Sequence, residues 1–122
     1  MAHALNWFEL PVQDLDRATR FYETVLGETL KRDVFGGMPM SIFTRKDPQD
    51  VGGALIQSPH RQPSENGGLR YLNVSGRLDA CRGRVDAAGG AVVMPKTDIG
   101  DPGFIALVRD TEGNTLGLHS PR

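Results

Sequence analysis

Apolar and polar residues alternate near the start of the chain, where Phe8, Leu10 and Val12 interleave with Trp7, Glu9 and Pro11. A period of two belongs to a strand with two unlike faces. The period then changes. Leu15, Ala18, Phe21, Tyr22, Val25 and Leu26 recur at three- and four-residue steps, which lines them along one side of a helix. Asp14 stands where an N-cap accepts from a free amide of the first turn, and Asp16 adds negative charge at the positive end of the dipole. Gly27 suits a left-handed closing residue. Beyond it the pattern predicts strands over 28–35, 40–45 and 54–57, separated by a glycine turn at FGGMPM and a polar turn over 47–53. The order is βαβββ.

A fainter copy follows. Val12 and Val74, Gly27 and Gly89, Leu10 and Leu72, Ala18 and Ala80, and Leu30 and Val92 are each 62 positions apart. From the third strand onward the offset becomes 63, as in Ile42 and Ile105, Asp47 and Asp110, and Leu55 and Leu118. The copy predicts a strand over 69–74, a helix over 78–88 closed by Gly89, and strands over 91–94, 104–109 and 115–119. Gly113 in the last turn, DTEGN, is expected at positive φ. Between the copies, SPHRQPSENGG (58–68) is polar and rich in proline and glycine, as a surface linker is. The expected fold class is α+β: two βαβββ modules, 1–57 and 69–122, in one domain. Their curved mixed sheets carry helices outside and face a shared cleft.

Composition narrows the function. A chain of 122 residues buries roughly 65% of its unfolded surface, so two half-length modules are expected to share one core. Net charge is −1 and basic residues are scattered, which argues against nucleic acid or an anionic membrane as partner. No apolar run approaches the ~20 residues that span a bilayer, and MAHALNWF lacks the pattern of a signal peptide, so a soluble cytoplasmic protein is expected. The single cysteine, Cys81, falls on the apolar side of the second helix and reads as a buried structural thiol rather than a reactive one. The glycine pairs at 36–37, 52–53 and 89–90 read as turns, since none follows a strand and opens a helix as a phosphate cradle does.

The segments ELPVQDLDRATRFYETVLG, YLNVSGRLDACRGRVDAAGGAVV and IALVRDTEGNTLGLHS, in that order and spacing, resemble the vicinal oxygen chelate superfamily. That group includes glyoxalase I, extradiol dioxygenases, fosfomycin-resistance enzymes and bleomycin-resistance proteins. In its metal-using members the first and fourth strands of each module supply histidine or glutamate ligands to one divalent ion. Carried onto this chain, the resemblance puts those positions at Trp7, Ala54, Leu69 and Gly117. None has a side chain that binds zinc, nickel or iron, and the neighbours Phe8, Leu55, Arg70, Leu116 and Leu118 are no better. The family's usual metal is therefore expected to be absent, with no other cofactor in its place.

Two residues further along each strand the expected cleft turns polar, with Glu9, Tyr71 and His119, and Ile56 as the fourth. Glu9 and His119 in one apolar cavity would suit a general base and acid; the alternative is a hydrogen-bonded set that fixes the strands or orients a ligand. His119 lies three residues from the end of the sequence, where fraying is common. His3 precedes the first strand and His60 sits in the linker, so a three-histidine metal site is not expected. Trp7 would wall the space an ion occupies, Gly117 would either ease close packing against Trp7 or leave room for a ligand, and Met38, Met40 and Phe43 would complete an apolar lining or belong to the core.

Three readings follow. The first is a metal-independent protein that binds a small, partly apolar organic ligand through Trp7, Glu9, Tyr71, Gly117 and His119. The second, implied by the likeness to glyoxalase I, is a lyase or isomerase with Glu9 and His119 as acid–base pair. The third is an interaction protein whose cleft is filled by its own side chains. The resemblance also implies a homodimer.

Overall fold

The computed structural model describes residues 5–122; His3 lies outside the described residues. Strand β1 (Trp7–Pro11) leads into helix α1 (Leu15–Leu26), followed by β2 (Lys31–Phe35), β3 (Met38–Ile42) and β4 (Gly52–Ile56). The second half repeats the order with β5 (Tyr71–Asn73), α2 (Leu78–Gly83), β6 (Ala91–Asp98), β7 (Phe104–Arg109) and β8 (Thr115–Ser120). The strands form two four-stranded sheets of identical plan, β1-β4-β3-β2 and β5-β8-β7-β6. In each, the first strand lies parallel to the fourth and the other pairs are antiparallel. This is the expected α+β pair of βαβββ modules.

Local signals act where the sequence places them. Asp14 is extended and its carboxylate accepts from the Arg17 amide at 3.0 Å. Gly27 ends α1 at φ 70°, and its amide returns to the Glu23 carbonyl at 2.9 Å. The second helix is shorter than expected. α2 stops at Gly83 with Arg84 still right-handed, and the chain continues through irregular turns to Gly89 at φ 99°. The amide of Gly90 then closes onto the Val85 carbonyl at 3.0 Å. Strand β6, by contrast, runs to Asp98 instead of 94, because bulges at Val92/Met94 and Met94/Thr97 let the chain pass Pro95 while keeping its pairing with β7.

One core serves both modules. Leu10, Phe21 and Val25 from the first half and Leu72, Cys81, Val85 and Leu118 from the second are buried in a single cluster, with α1 packed against α2. Phe43 belongs to this core, its ring 5.5 Å from Tyr22 and 5.6 Å from Phe8, so it is not a pocket wall. Among the described residues, no strand of one sheet is paired with a strand of the other. The halves are joined instead by helices and by the β7–β8 turn.

That turn is a polar clamp. Asp110, Glu112 and Asn114 are buried although they sit in a hairpin loop. Tyr22 donates to Asp110 at 2.7 Å, and Asn114 Nδ2 donates to the Pro11 carbonyl at 2.8 Å. Glu112 accepts from the amides of Gln13 and Asp14, both at 2.9 Å, and from Arg17 Nε and Nη2 at 2.7 and 2.9 Å. Desolvation alone would push the Glu112 carboxyl up; the bonds from Arg17, the Asp14 amide, Thr111 and the Gln13 amide outweigh it and bring it from 4.5 down to about 2. Burial first, then the charge and hydrogen bond of Asp110, hold the Tyr22 phenol well above 10. Arginines of the second module answer from the other side. Arg84 donates twice to the Val25 carbonyl, at 3.1 and 2.8 Å, and Arg77 donates to that of Leu26 at 2.6 Å, satisfying carbonyls that the end of α1 leaves open.

Candidate functional site

The helices cover one face of each sheet. On the first sheet, Leu10 of β1 turns to the helix side, and Ser41 of β3 bonds Thr19 of α1 at 2.6 Å. Trp7, Glu9 and Pro11 therefore point to the opposite, helix-free face. Register extends that face across the sheet: Glu9 neighbours Ala54, which neighbours Ile42, while Pro11 neighbours Ile56, which neighbours Met40. Met40, Ala54 and Ile56 form a second buried apolar cluster with Ile42 packed against it. The helix-free face thus has an apolar floor, with Trp7 and Glu9 at one edge. Met40 lies in the expected lining and Met38 at the partly buried start of the same strand.

Of the residues singled out in the sequence, the structure brings together two pairs. Trp7 Nε1 donates to Glu9 Oε2 at 3.2 Å. On the second sheet, Tyr71 stands beside Gly117 in the parallel β5–β8 pair, and its ring occupies the space a side chain at 117 would need. Glu9 and His119 are not joined. Among the described residues no hydrogen bond or ion pair links them, and the His119 ring instead donates from Nε2 to the Pro102 carbonyl at 2.7 Å. That bond, the Asp98–Arg122 ion pair and the Gly100 carbonyl bonded to Arg122 tie the end of β8 to the 98–102 turn. The rim of the face is open where the sequence suggested an enclosed cavity, while the apolar cluster of Met40, Ala54 and Ile56 is itself covered. Trp7 keeps 37% and Tyr71 48% of their surface exposed, and Glu9 stands in solvent. Burial therefore does not set Glu9 apart as a base in the single chain. A separate depression of about 390 Å³ lies at the end of α1, lined by polar residues such as Arg20, Glu23 and Glu28.

Two groups of residues escaped the sequence reading. Asp110, Glu112 and Asn114 were visible only as turn formers, although DTEGN packs three acceptor side chains into five residues, more than a solvent-facing turn needs. Arg45, beyond the end of β3, lies with its guanidinium carbon 5.8 Å from the centre of the Trp7 ring. Only the register of Gly52 with Trp7 reveals that approach.

The arrangement sets an indole and a carboxylate at the rim of a buried apolar cluster. It offers little to a metal: Trp7, Ala54, Leu69 and Gly117 present an indole, a methyl, an isobutyl group and a hydrogen. Among the described residues no three of His, Cys, Asp and Glu converge. Among the described residues no helix is long and apolar enough to cross a membrane.

Comparison with known proteins agrees with this geometry. Residues 4–118 match the family model described as Glyoxalase/Bleomycin resistance protein/Dioxygenase superfamily. A protein of Mycobacterium tuberculosis named "Putative glyoxylase CFP32" is 29% identical over 117 residues, 93% of this chain, as is its counterpart in Mycobacterium bovis. The chain spans 44% of the length of these curated relatives. Among solved structures, a glyoxalase/bleomycin resistance protein from Albidiferax ferrireducens superposes with a TM-score of 0.74 at 17% identity, covering 98% of this chain and 100% of that one. The fosfomycin resistance protein FosX of Listeria monocytogenes superposes with a TM-score of 0.67 at 15% identity, covering 100% of this chain and 96% of that one. At these identities the structural likeness speaks to fold alone.

Proposed function

The chain belongs to the glyoxalase/bleomycin resistance protein/dioxygenase superfamily, and from that premise we propose that it binds a small, partly apolar organic molecule without a resident metal. The observation that carries this reading is the helix-free face of the first sheet, where an apolar floor of Met40, Ala54 and Ile56 adjoins Trp7 and Glu9. Tyr71, its ring laid over Gly117, and His119 supply the corresponding surface on the second sheet. The positions that relatives use for metal ligands do not fit an ion here, so no step is assigned to one.

Trp7 is the single tryptophan of the chain, so its emission reports on the proposed site directly. A panel of apolar alcohols, acids and arenes is expected to include members that shift this emission saturably. Emission that stays flat across the panel, with no heat of binding by calorimetry, refutes the reading. Elemental analysis of protein purified without added metal is expected to find no stoichiometric transition metal; one zinc or nickel per chain would overturn metal independence.

The relatives' name favours a second reading, glyoxalase-like lyase or isomerase chemistry with Glu9 and His119 as acid and base. It requires His119 to leave the Pro102 carbonyl and Glu9 to leave Trp7. Glu9→Gln and His119→Ala would then abolish turnover, whereas under the binding reading they shift affinity only. Exposed Leu5, Trp7, Leu69 and Tyr71 further support a homodimer that shields them, which light scattering would show as twice the 13.3 kDa chain mass. The buried free thiol of Cys81 suits a cytoplasmic setting.

A further inference from the structure

Building on the ligand-binding reading above, we propose that Arg45 makes the helix-free face of the first sheet selective for an organic carboxylate, an apolar body carrying one acid group. Gly52 is paired with Trp7 in the parallel β1–β4 ladder, so a side chain at 52 would project on the same face as the indole. A Cβ placed there would stand 2.6 Å from Arg45 Nη1 and 3.1 Å from its Cζ. The guanidinium therefore lies over Gly52 on the helix-free face, alongside Trp7, within cation–π range at 5.8 Å. Glycine at 52 is what admits it.

Arg45 is also under-used. Its Nη1 donates to the Asp50 carbonyl at 3.0 Å, and among the described residues no carboxylate pairs with it. Arg17, Arg32, Arg77, Lys96, Arg109 and Arg122 each have such a partner, whereas Arg20, Arg61, Arg70, Arg82 and Arg84 have none either; what sets Arg45 apart is its place over Gly52 beside Trp7. A guanidinium presents its remaining N–H donors in a planar fork that matches a carboxylate. One end of the face thus offers a fork and an indole wall, and beside it the partly exposed Ile42 caps the buried cluster of Ala54, Ile56 and Met40. Glu9, held to Trp7 Nε1 on the same face, disfavours a second acid group on the ligand.

The test uses two probes of nearly equal shape, 4-tert-butylbenzoate and 4-tert-butylbenzyl alcohol, titrated into the full chain. Trp7 emission excited at long wavelength and calorimetry both read binding. The acid is expected to bind about tenfold or more tighter than the alcohol, the scale of one charge-assisted hydrogen bond. In Arg45→Gln the ratio of the two affinities falls to near one, and in Arg45→Lys part of the preference returns. Because the readout is a ratio within each variant, a general loss of affinity does not imitate it. Equal affinities in the parent chain, or a preference that survives Arg45→Gln, overturns the carboxylate assignment and leaves the binding reading standing. Absence of binding by either probe overturns both.

Discussion

Glutamate 112 is the residue through which the joint between the modules is most sharply tested. Its side chain has no exposed surface, and it receives two backbone amides from the turn between β1 and α1, at Gln13 and Asp14, as well as both nitrogens of the Arg17 fork. Replacing it with alanine leaves those two amides without an acceptor, and each unmet, partly buried donor costs about 1–2 kcal/mol. Arg17 keeps 46% of its side chain in water, so its share is discounted to ~1 kcal/mol or less. The expected loss for Glu112→Ala is therefore about 2–4 kcal/mol. Proton linkage gives an independent route to the same scale. The carboxyl falls from 4.5 to about 2 on folding, and that difference is worth about 3 kcal/mol. A depressed folded-state value means that this stability is fully present above pH 4.5 and is lost as pH falls toward 2. Urea unfolding of the parent chain and of Glu112→Gln at pH 7, 4 and 2.5 reads both effects. The gap between them is expected to be largest at pH 7 and to narrow to under ~1 kcal/mol by pH 2.5, closing only below the folded-state value of about 2. A gap that does not change with pH, or an alanine variant within ~0.5 kcal/mol of the parent, is the scatter expected of an ordinary surface change and would refute the clamp.

Other consequences are as direct. Tyr22→Phe removes the donor to Asp110 and is expected to cost ~1–2 kcal/mol in thermal or urea unfolding. Because the folded-state phenol is raised, its contribution is complete below pH 10 and is lost as pH rises above that, so absorbance titration should show a late-ionising tyrosine that Tyr22→Phe abolishes. Arg84→Ala strips two hydrogen bonds from the Val25 carbonyl, with an expected loss of ~1–2 kcal/mol that a conservative Lys restores only in part. Gly117→Ala forces the exposed Tyr71 ring aside; its unfolding midpoint should barely move while ligand response changes, and the reverse outcome would make Gly117 a packing residue only.

Much of the fold was legible because its signals are local. The switch from period two to period 3.6 near Asp14 and the glycine at 27 each follow from neighbouring residues, and the 62-residue echo repeats those local signals in the second half. The second helix was over-extended because Val85 and Ala88 keep an apolar spacing through turns that are no longer helical. The site was harder to read. Alternation correctly turned Trp7 and Glu9 away from the core, but exposure depends on what another surface covers, and that is not written in periodicity. Phe43 was ambiguous for the same reason, since one residue past the end of β3 its ring could face either side. The bonds of Glu112 span nearly the whole chain, and no local pattern encodes a partner 95 to 99 positions away.

The hairpin loops at 47–51 and 110–114 are counterparts in the repeat, yet they have taken up different occupations. Asp110 and Asn114 are sealed inside and hold the halves together, while Asp47 and Asp50 bond only within their own exposed loop, next to Arg45. Rewriting the first loop is expected to retune the proposed selectivity without loosening the frame, whereas the same edits in the second would unfasten the two halves.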